Sequence, residues 1–187
     1  MDAIPVQART ILRVARAISD SVDKYIYTEL TAATSTSGVV AAADTWNSLT
    51  EANRDPIGDL LIGISAMQVN NYDVLSNGWL LLTPLDYSSL MRNSKVINNP
   101  SFKTADVVSN GVVGQIVGLK IIVSNSVTSG EAMIVHGQRA ATWKTVKSMQ
   151  SAVINDQGIS ALIRSWEYGQ IQITDPQGLY TITGTQV

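Results

Sequence analysis

The sequence contains no cysteine and a single histidine in 187 residues. Without cysteine, a disulfide framework or a thiolate metal site cannot form, so cysteine usage does not indicate a redox compartment. Thirteen Lys and Arg against 15 Asp and Glu give a net charge of −2. This balance excludes a polybasic protein whose nucleic-acid affinity depends on phosphate contacts.

Long apolar runs are also missing. Stretches such as Trp79–Leu82 and Leu119–Val123 are far shorter than the roughly 20 residues of a membrane-spanning helix. The N-terminus lacks the basic-then-apolar pattern of a secretory signal. The length is close to that of one domain. We therefore expect a soluble, folded chain that contacts no membrane.

Charged residues are scarce, at 15% of the chain, whereas globular proteins have about a quarter. The polar balance is supplied by Ser, Thr, Asn and Gln instead. A surface poor in charge suits a subunit that packs against copies of itself. A neutral monomer surface is the alternative, and composition does not decide between the two.

A long amphipathic helix is predicted from Pro5 to Leu30. Pro5 suits a first helical turn, and roughly 25 residues correspond to about 37 Å. At 100° per residue, apolar and charged side chains fall on opposite arcs, so the helix is expected to lie across one face of the domain. The apolar arc holds Ile11, Val14, Ala15, Ile18, Val22, Tyr25 and Ile26; the charged arc holds Arg9, Arg13, Arg16, Asp20, Asp23 and Lys24.

The remaining pattern predicts an α+β chain, with helices first and mostly strands after them. Asp55-Pro56 indicates the start of a second helix, ending near Asn70-Asn71. Thr31–Ala43 has little periodicity and is predicted to be a loop. Strands are predicted at Trp79–Thr83 (buried on both faces), Leu119–Ser124, Glu131–His136, Val146–Ile154, Ile159–Ile173 and Leu179–Thr183, with a short helix at Asp86–Arg92 after Pro84 and a turn at Asp156-Gln157-Gly158.

No residue pattern predicts a catalytic, cofactor-binding or metal-binding site. His136 ends an apolar strand, where a structural histidine is the favoured interpretation. A zinc site with one His and no Cys is improbable. Asp55 and Asp59 suit the first turn of the second helix better than an acid–base pair.

Three glycines, Gly111, Gly114 and Gly118, precede the strand at Leu119. Their spacing matches neither the dinucleotide fingerprint nor the Walker loop, because no Lys-Ser/Thr follows. Backbone turns leading into the strand are the better interpretation.

Arg9, Arg13 and Arg16 lie on the charged arc of the first helix and could contact an acidic neighbour or nucleic acid. A solvated helix face is the default interpretation. On the same arc, the pairs Arg16/Asp20 and Asp20/Lys24 are spaced for i,i+4 ion pairs.

Four segments together resemble the major capsid proteins of tailed phages. NGWLLLTPLDYSSLMR (Asn77–Arg92) is similar to that family's strand, proline and short helix. GVVGQIVGLKIIVSN (Gly111–Asn125) is similar to its glycine-spaced lead into a strand. ITDPQGLYTIT (Ile173–Thr183) is similar to its C-terminal strand pair around a proline, and Pro5–Leu30 resembles its spine helix. Each motif alone is weak, and the resemblance depends on their order and spacing.

The resemblance implies the Hong Kong 97-type capsid fold, with no enzymatic activity. Residues 1–55 and 143–187 would form a peripheral-type domain on the spine helix and the strands. Residues 56–142 would form an axial-type domain with a central sheet. Copies would assemble as pentamers and hexamers into an icosahedral shell around double-stranded DNA. The family's usual N-terminal arm and extended loop precede the spine helix, and this sequence starts almost at that helix. Two expectations stay open: the sequence is a truncated or processed form, or the chain lacks these elements.

The partners implied are copies of the chain itself and possible scaffold and portal proteins, with packaged DNA contacted weakly because the chain is near neutral. Assembly would take place in the host cytoplasm and leave the chain in the virion capsid. The expected subunit contacts are Arg9, Arg13, Arg16 and Trp46. Trp46 is included because an exposed loop seldom carries a Trp without a packing partner.

Two alternatives stay open. One keeps the fold and makes the chain the shell subunit of an encapsulin-type protein compartment. The other is a small enzyme or binding domain that uses His136 with an aspartate. That alternative predicts loss of an activity in His136→Ala, whereas the capsid interpretation predicts a small change in stability.

Overall fold

The computed structural model describes residues 6–34, 37–38, 44–97, 114–156 and 160–186. The chain divides into two compact units, one drawn from residues 1–29 and 142–172 and the other from residues 30–141 and 173–187. The helices are α1 (Val6–Ala33), α2 (Pro56–Val69), α3 (Val74–Asn77), α4 (Pro84–Met91) and α5 (Ser94–Ile97). The strands are β1 (Ser37–Gly38), β2 (Gly78–Leu82), β3 (Gln115–Ile116), β4 (Leu119–Val123), β5 (Glu131–His136), β6 (Ala141–Asp156), β7 (Ser160–Ile173) and β8 (Leu179–Thr183).

The first unit consists of most of α1 and a two-stranded ribbon formed by β6 and β7. The long helix and both long strands were predicted, although Pro5, residues 157–158 of the predicted turn and residue 159 at the start of the second predicted strand lie outside the described residues. Tyr25 of α1 meets Trp143 of β6 edge to face, with ring centroids 6.3 Å apart. The contact joins the apolar arc of the helix to the ribbon.

The second unit is built on a six-stranded mixed sheet in the order β1-β8-β5-β2-β4-β3. Its central strand β2 pairs parallel with β4 and antiparallel with β5. Leu80 and Leu82 are fully buried, whereas Trp79 and Leu81 are half-buried. The expectation that this strand is buried on both faces is therefore correct for one face only. The core of this unit gathers side chains from the sheet, α2 and α4.

Local capping signals set the helix starts. The Asp55 carboxylate accepts from the Gly58 backbone N–H, and Pro56 occupies the first turn of α2, as predicted. The helix α4 begins earlier than predicted, at Pro84 rather than Asp86. The proline that ends β2 also starts α4, because Thr83 caps the helix by accepting from the Asp86 N–H.

The glycine segment forms turns where the structure describes it. Val117 and Gly118 join β3 to β4 with φ values of 50° and 84°, the positive values that a tight two-residue hairpin turn requires. Gly114 also has a positive φ, of 35°. Gly111 lies outside the described residues. At Gly114 and Gly118 the backbone-turn interpretation is confirmed.

The last strand is placed differently from the sequence expectation. Leu179–Thr183 was expected beside the long helix and ribbon, but β8 lies in the six-stranded sheet, paired antiparallel with β5 and parallel with β1. Residues 30–55 likewise group with the sheet unit. Strand pairing depends on contacts between distant segments, which residue order does not show. The predicted loop also supplies the short edge strand β1.

Candidate subunit interface

The solvent face of α1 carries the three arginines singled out in the sequence. Arg9, Arg13 and Arg16 are all exposed and line a shallow groove with Leu12, which is 64% exposed. They fall on one face because residues three and four apart in a helix are neighbours. The structure therefore places these residues together on an exposed face of α1.

The charges on this face change sign along the helix. Arg9, Arg13 and Arg16 are followed by the exposed Asp20 and Asp23 and by Lys24. The expected Arg16/Asp20 and Asp20/Lys24 ion pairs do not form: in the described part of the chain, the ion pair within 4.0 Å joins Lys95 to Asp55. Exposed pairs of this kind contribute little, because side-chain entropy opposes them.

Apolar side chains are also exposed along the ribbon. Val146 is 85% exposed and Tyr168 60%, with Leu162 and Ile154 also in solvent. The sequence pattern predicts these strands but does not indicate a contact role for them. The signal that could have identified them was their length, since strands of 16 and 14 residues outgrow a small core.

Trp46 does not form a surface contact, contrary to the sequence expectation. Its side chain is completely buried in the core of its own unit, and its Nε1 donates to Asp59 Oδ2 at 2.7 Å. A side chain with no exposed surface in the subunit cannot touch a neighbour directly. Burial raises the pKa of Asp59 above its usual value, and the hydrogen bond from Trp46 partly offsets that rise.

His136 is a buried residue at the end of β5 and is 4% exposed. Its ring meets Tyr72 edge to face at 5.7 Å, and its Nδ1 has no hydrogen-bond partner in the structure. Asp175 accepts a hydrogen bond from the Tyr72 hydroxyl, which raises the pKa of Tyr72. The structure therefore pairs the nearby aspartate with Tyr72, and no bond from His136 Nδ1 to a carboxylate is present.

The described residues hold no group of three or more His, Cys, Asp or Glu side chains arranged to bind a metal ion. Asp55 and Asp59 are separated in role, since Asp55 caps α2 and binds Lys95 while Asp59 faces Trp46. Among the helices in this part of the chain, none is long and apolar enough to cross a bilayer.

Comparison with known proteins gives a family match over nearly the whole chain. The profile of a family described as phage capsid protein matches residues 1–182. No curated protein shows significant similarity to the sequence.

Solved structures resemble the chain closely in fold and weakly in sequence. A chain from Mycobacterium phage Che8 is 17% identical with a TM-score of 0.69, covering 97% of this chain and 64% of its own length. The capsid of cyanophage P-SCSP1u is 15% identical with a TM-score of 0.69, covering 98% of this chain and 67% of its own. A virus-like particle from Pyrococcus furiosus is 14% identical with a TM-score of 0.59, covering 87% and 61%. The chain thus spans about two thirds of the length of these relatives.

Proposed function

Because the chain belongs to the phage capsid protein family and has the Hong Kong 97-type fold, we propose that it is the major shell subunit of a tailed-phage capsid. Family membership implies a structural role rather than an enzymatic one. The subunits would assemble as pentamers and hexamers of an icosahedral shell that encloses double-stranded DNA. Assembly would take place in the host cytoplasm, with the finished shell in the virion.

The exposed apolar side chains of the ribbon are the observation that supports self-assembly. An isolated two-stranded sheet is marginally stable in water, and this one leaves Val146, Leu162 and Tyr168 in solvent. Several large apolar side chains left in solvent along one element of a folded subunit indicate a contact with another protein. Copies of the same chain are the partners that a capsid subunit meets most often, so they would cover this ribbon.

The two compact units support a two-domain organisation of the proposed subunit. In this proposal the unit with α1 and the ribbon would be the peripheral-type domain, and the unit with the six-stranded sheet would be the axial-type domain. With β8 in the sheet, the proposed boundaries move to residues 1–29 and 142–172 for the peripheral-type domain. Scaffold and portal proteins would be further partners, and packaged DNA would be held weakly because the chain is near neutral.

The first test is particle size in solution. Light scattering after chromatography, followed by negative-stain imaging of the largest species, should show rings or closed shells. A chain that stays monomeric at high concentration, alone and when produced in a host cell, would contradict the proposal.

A matched pair of variants locates the contact. Val146→Lys on the ribbon should reduce assembly about tenfold or more, because it places a charge in a buried contact. Val69→Lys, at a site 79% exposed on α2, makes the same exchange in the other unit and should assemble normally. Equal assembly of both variants would remove the ribbon from the interface.

A protein compartment of the encapsulin type is the second candidate, favoured by the likeness to the Pyrococcus furiosus virus-like particle. The two candidates differ in cargo. Purified particles treated with nuclease should retain double-stranded DNA if the shell is a capsid filled in its natural host. Particles from that host that contain protein and no protected DNA would favour the compartment.

A further inference from the structure

The exposed face of α1 has an uneven distribution of charge. Over residues 9–24, side chains within about 120° of arc begin with three arginines and continue with Asp20 and Asp23. Leu12 is exposed among the arginines. The helix is therefore positive towards one end of this stripe and mostly negative towards the other.

This arrangement stabilises the isolated helix little: beside Arg16/Asp20 and Asp20/Lys24, which are opposite in charge but form no ion pair within 4.0 Å, it contains three like-charged neighbour pairs. Arg9/Arg13 and Arg13/Arg16 are like-charged neighbours at spacings of four and three, and Asp20/Asp23 are like-charged at a spacing of three. Such neighbours destabilise a helix. Alternating positive and negative side chains along the stripe would remove this repulsion. Because the charges are separated instead, we infer that the stripe contacts a partner outside the chain.

A duplex nucleic acid is a poor fit for the whole stripe. A polyanion lying along the helix would gain contacts with the arginines and meet the carboxylates of Asp20 and Asp23 within the next two turns. The surface that matches both halves is another helix with the opposite order of charges. An antiparallel copy of α1 has that order.

We propose that two copies of α1 pack antiparallel along this stripe, related by a two-fold axis level with Ile18. A residue of one copy then lies level with the residue of the partner copy for which the two residue numbers sum to 36. Arg13 of one copy lies opposite Asp23 of the partner subunit, and Arg16 lies opposite Asp20 of the partner subunit. By the symmetry of the pair, each contact occurs twice. Leu12 lies opposite Lys24 of the partner subunit, whose methylene stem can cover it.

The inference rests on the proposed function, because it assigns one of the subunit contacts in the shell. The stripe is about 24 Å long at 1.5 Å per residue, which makes a small contact. A contact of this size is weak in a lone pair of subunits and becomes effective when a shell repeats it many times.

The test exchanges the charges of one facing pair. Arg13→Asp places two carboxylates opposite each other at both copies of the contact, and Asp23→Arg places two guanidinium groups there. Each single variant should raise the protein concentration needed for assembly about tenfold. The double variant Arg13→Asp/Asp23→Arg restores opposite charges and should assemble within about threefold of the unaltered chain.

Mixing the two single variants gives a second, independent readout. Arg13→Asp carries two acids and Asp23→Arg carries two bases at these positions, so each should prefer the other to itself. The equimolar mixture should therefore assemble better than either variant alone. The differences should shrink at about 1 M salt, where the Debye length is about 3 Å.

Folding effects are separable from contact effects. Residues 13 and 23 lie about 15 Å apart along one helix, so they do not pair within a chain. Each exchange also removes like-charged neighbours, and helix content by circular dichroism should be unchanged or higher. If a reversal variant fails to fold, Arg13→Gln and Asp23→Asn, singly and together, measure the same coupling by a double-mutant cycle. The exposed charge exchange Glu51→Lys, in the sheet unit, serves as the control and should assemble normally.

Single variants that assemble like the unaltered chain overturn the inference, as does a double variant that stays as impaired as the singles. The second result would assign Arg13 to another partner, such as nucleic acid. Both results leave the capsid proposal standing, because that proposal fails only if the unaltered chain itself does not assemble.

Discussion

At the scale of single residues, the buried Trp46–Asp59 pair couples a connecting segment to the core. Trp46 is fully buried, and Asp59, 6% exposed, sits in the first turn of α2. The backbone N–H of Trp46 also donates to the Thr185 carbonyl at 2.9 Å. Trp46 thus ties the segment before α2 to that helix through its indole and to the C-terminal segment through its backbone N–H.

The Asp59 carboxyl should make stability fall as pH rises. Its pKa is raised by burial, so the unfolded chain ionises first, near the ordinary value of 3.8, while the folded chain stays protonated. The contribution of the protonated Asp59 carboxyl to the free energy of unfolding is then fully present below pH 3.8, and it is lost as the pH rises through the raised pKa. Asp59→Asn keeps an acceptor for Trp46 and should remove this loss, which denaturant unfolding of both chains from pH 3 to 7 would measure.

Asp59→Ala is the matched contrast. It leaves the Trp46 Nε1 buried without a partner, which should cost about 1–3 kcal/mol of unfolding free energy at all of these pH values. Unfolding curves for Asp59→Asn that keep the original pH slope would show that another group produces it.

His136 should matter for packing. The small change in stability expected from sequence for His136→Ala is revised by its burial, since removing a buried ring leaves a cavity that costs about 2–4 kcal/mol. His136→Phe keeps a ring against Tyr72 and loses no bond at Nδ1, which has none. We expect thermal unfolding to show a clear loss for the alanine variant and a small one for phenylalanine. Equal losses would instead indicate a hydrogen bond from the imidazole.

At the scale of elements, Thr83 holds the junction between β2 and α4 to the C-terminal segment. Its hydroxyl oxygen accepts from the Asp86 N–H at 3.0 Å and from Gln186 Nε2 at 3.1 Å, and its hydroxyl donates to Asp86 Oδ2 at 2.6 Å. Thr83 and Asp86 are both buried, so the two bonds between them have little access to water.

Removing that hydroxyl should destabilise the subunit. Thr83→Ala deletes the helix cap and removes the partner of two buried groups of Asp86 and of the half-buried Gln186 amide, and we expect a loss of about 1–3 kcal/mol in denaturant unfolding. Thr83→Ser keeps the hydroxyl and should lose much less. A serine variant as weak as the alanine variant would assign the effect to the lost methyl group.

The ribbon depends on a glycine that faces a tryptophan across the two strands. A Cβ built at Gly169 would lie 2.2 Å from Cζ2 of Trp143, so the indole ring occupies the space above this glycine. Trp143 also contacts Tyr25 of α1. The glycine therefore allows one aromatic side chain to connect both strands and the helix.

Gly169→Ala should displace the Trp143 ring and lower the free energy of unfolding by about 1–3 kcal/mol, the usual cost of overpacking. Tryptophan fluorescence and thermal unfolding would record both changes. Gly169→Ala combined with Trp143→Leu should be less destabilising than the sum of the two single changes, because the clash is absent. Additive losses would contradict the packing argument.

Local signals made much of this architecture predictable. The caps at Asp55 and the prolines at 56 and 84 act within one turn of chain, so the helix starts are visible in the sequence to within two residues. Trp46 and Asp59 lie 13 residues apart, and β8 pairs with β5 more than 40 residues away. Such contacts depend on the assembled core, which explains why Trp46 and the last strand were placed wrongly. The arginines of α1 were predictable as a shared face because helical spacing alone brings them together.

At the scale of the whole molecule, the two units differ in how they are stabilised. The sheet unit buries a continuous core beneath a six-stranded sheet. The unit with α1 and the ribbon has few buried side chains among its described residues and exposes apolar ones. Local opening is easiest where few apolar contacts are buried and backbone hydrogen bonds are exposed. Under the proposed function, assembly would therefore stabilise the ribbon more than the sheet.

Amide hydrogen exchange should detect this difference directly. In isolated subunits, β6 and β7 should exchange quickly, because a two-stranded ribbon opens without disturbing the sheet unit. In assembled particles the same amides should exchange about tenfold or more slowly, since neighbouring subunits would cover Val146 and its surroundings. The amides of β2, β4 and β5 are the internal control and should be slow in both states. A ribbon that is already slow in isolated subunits would show that it is stable alone and that its exposed apolar side chains need no partner.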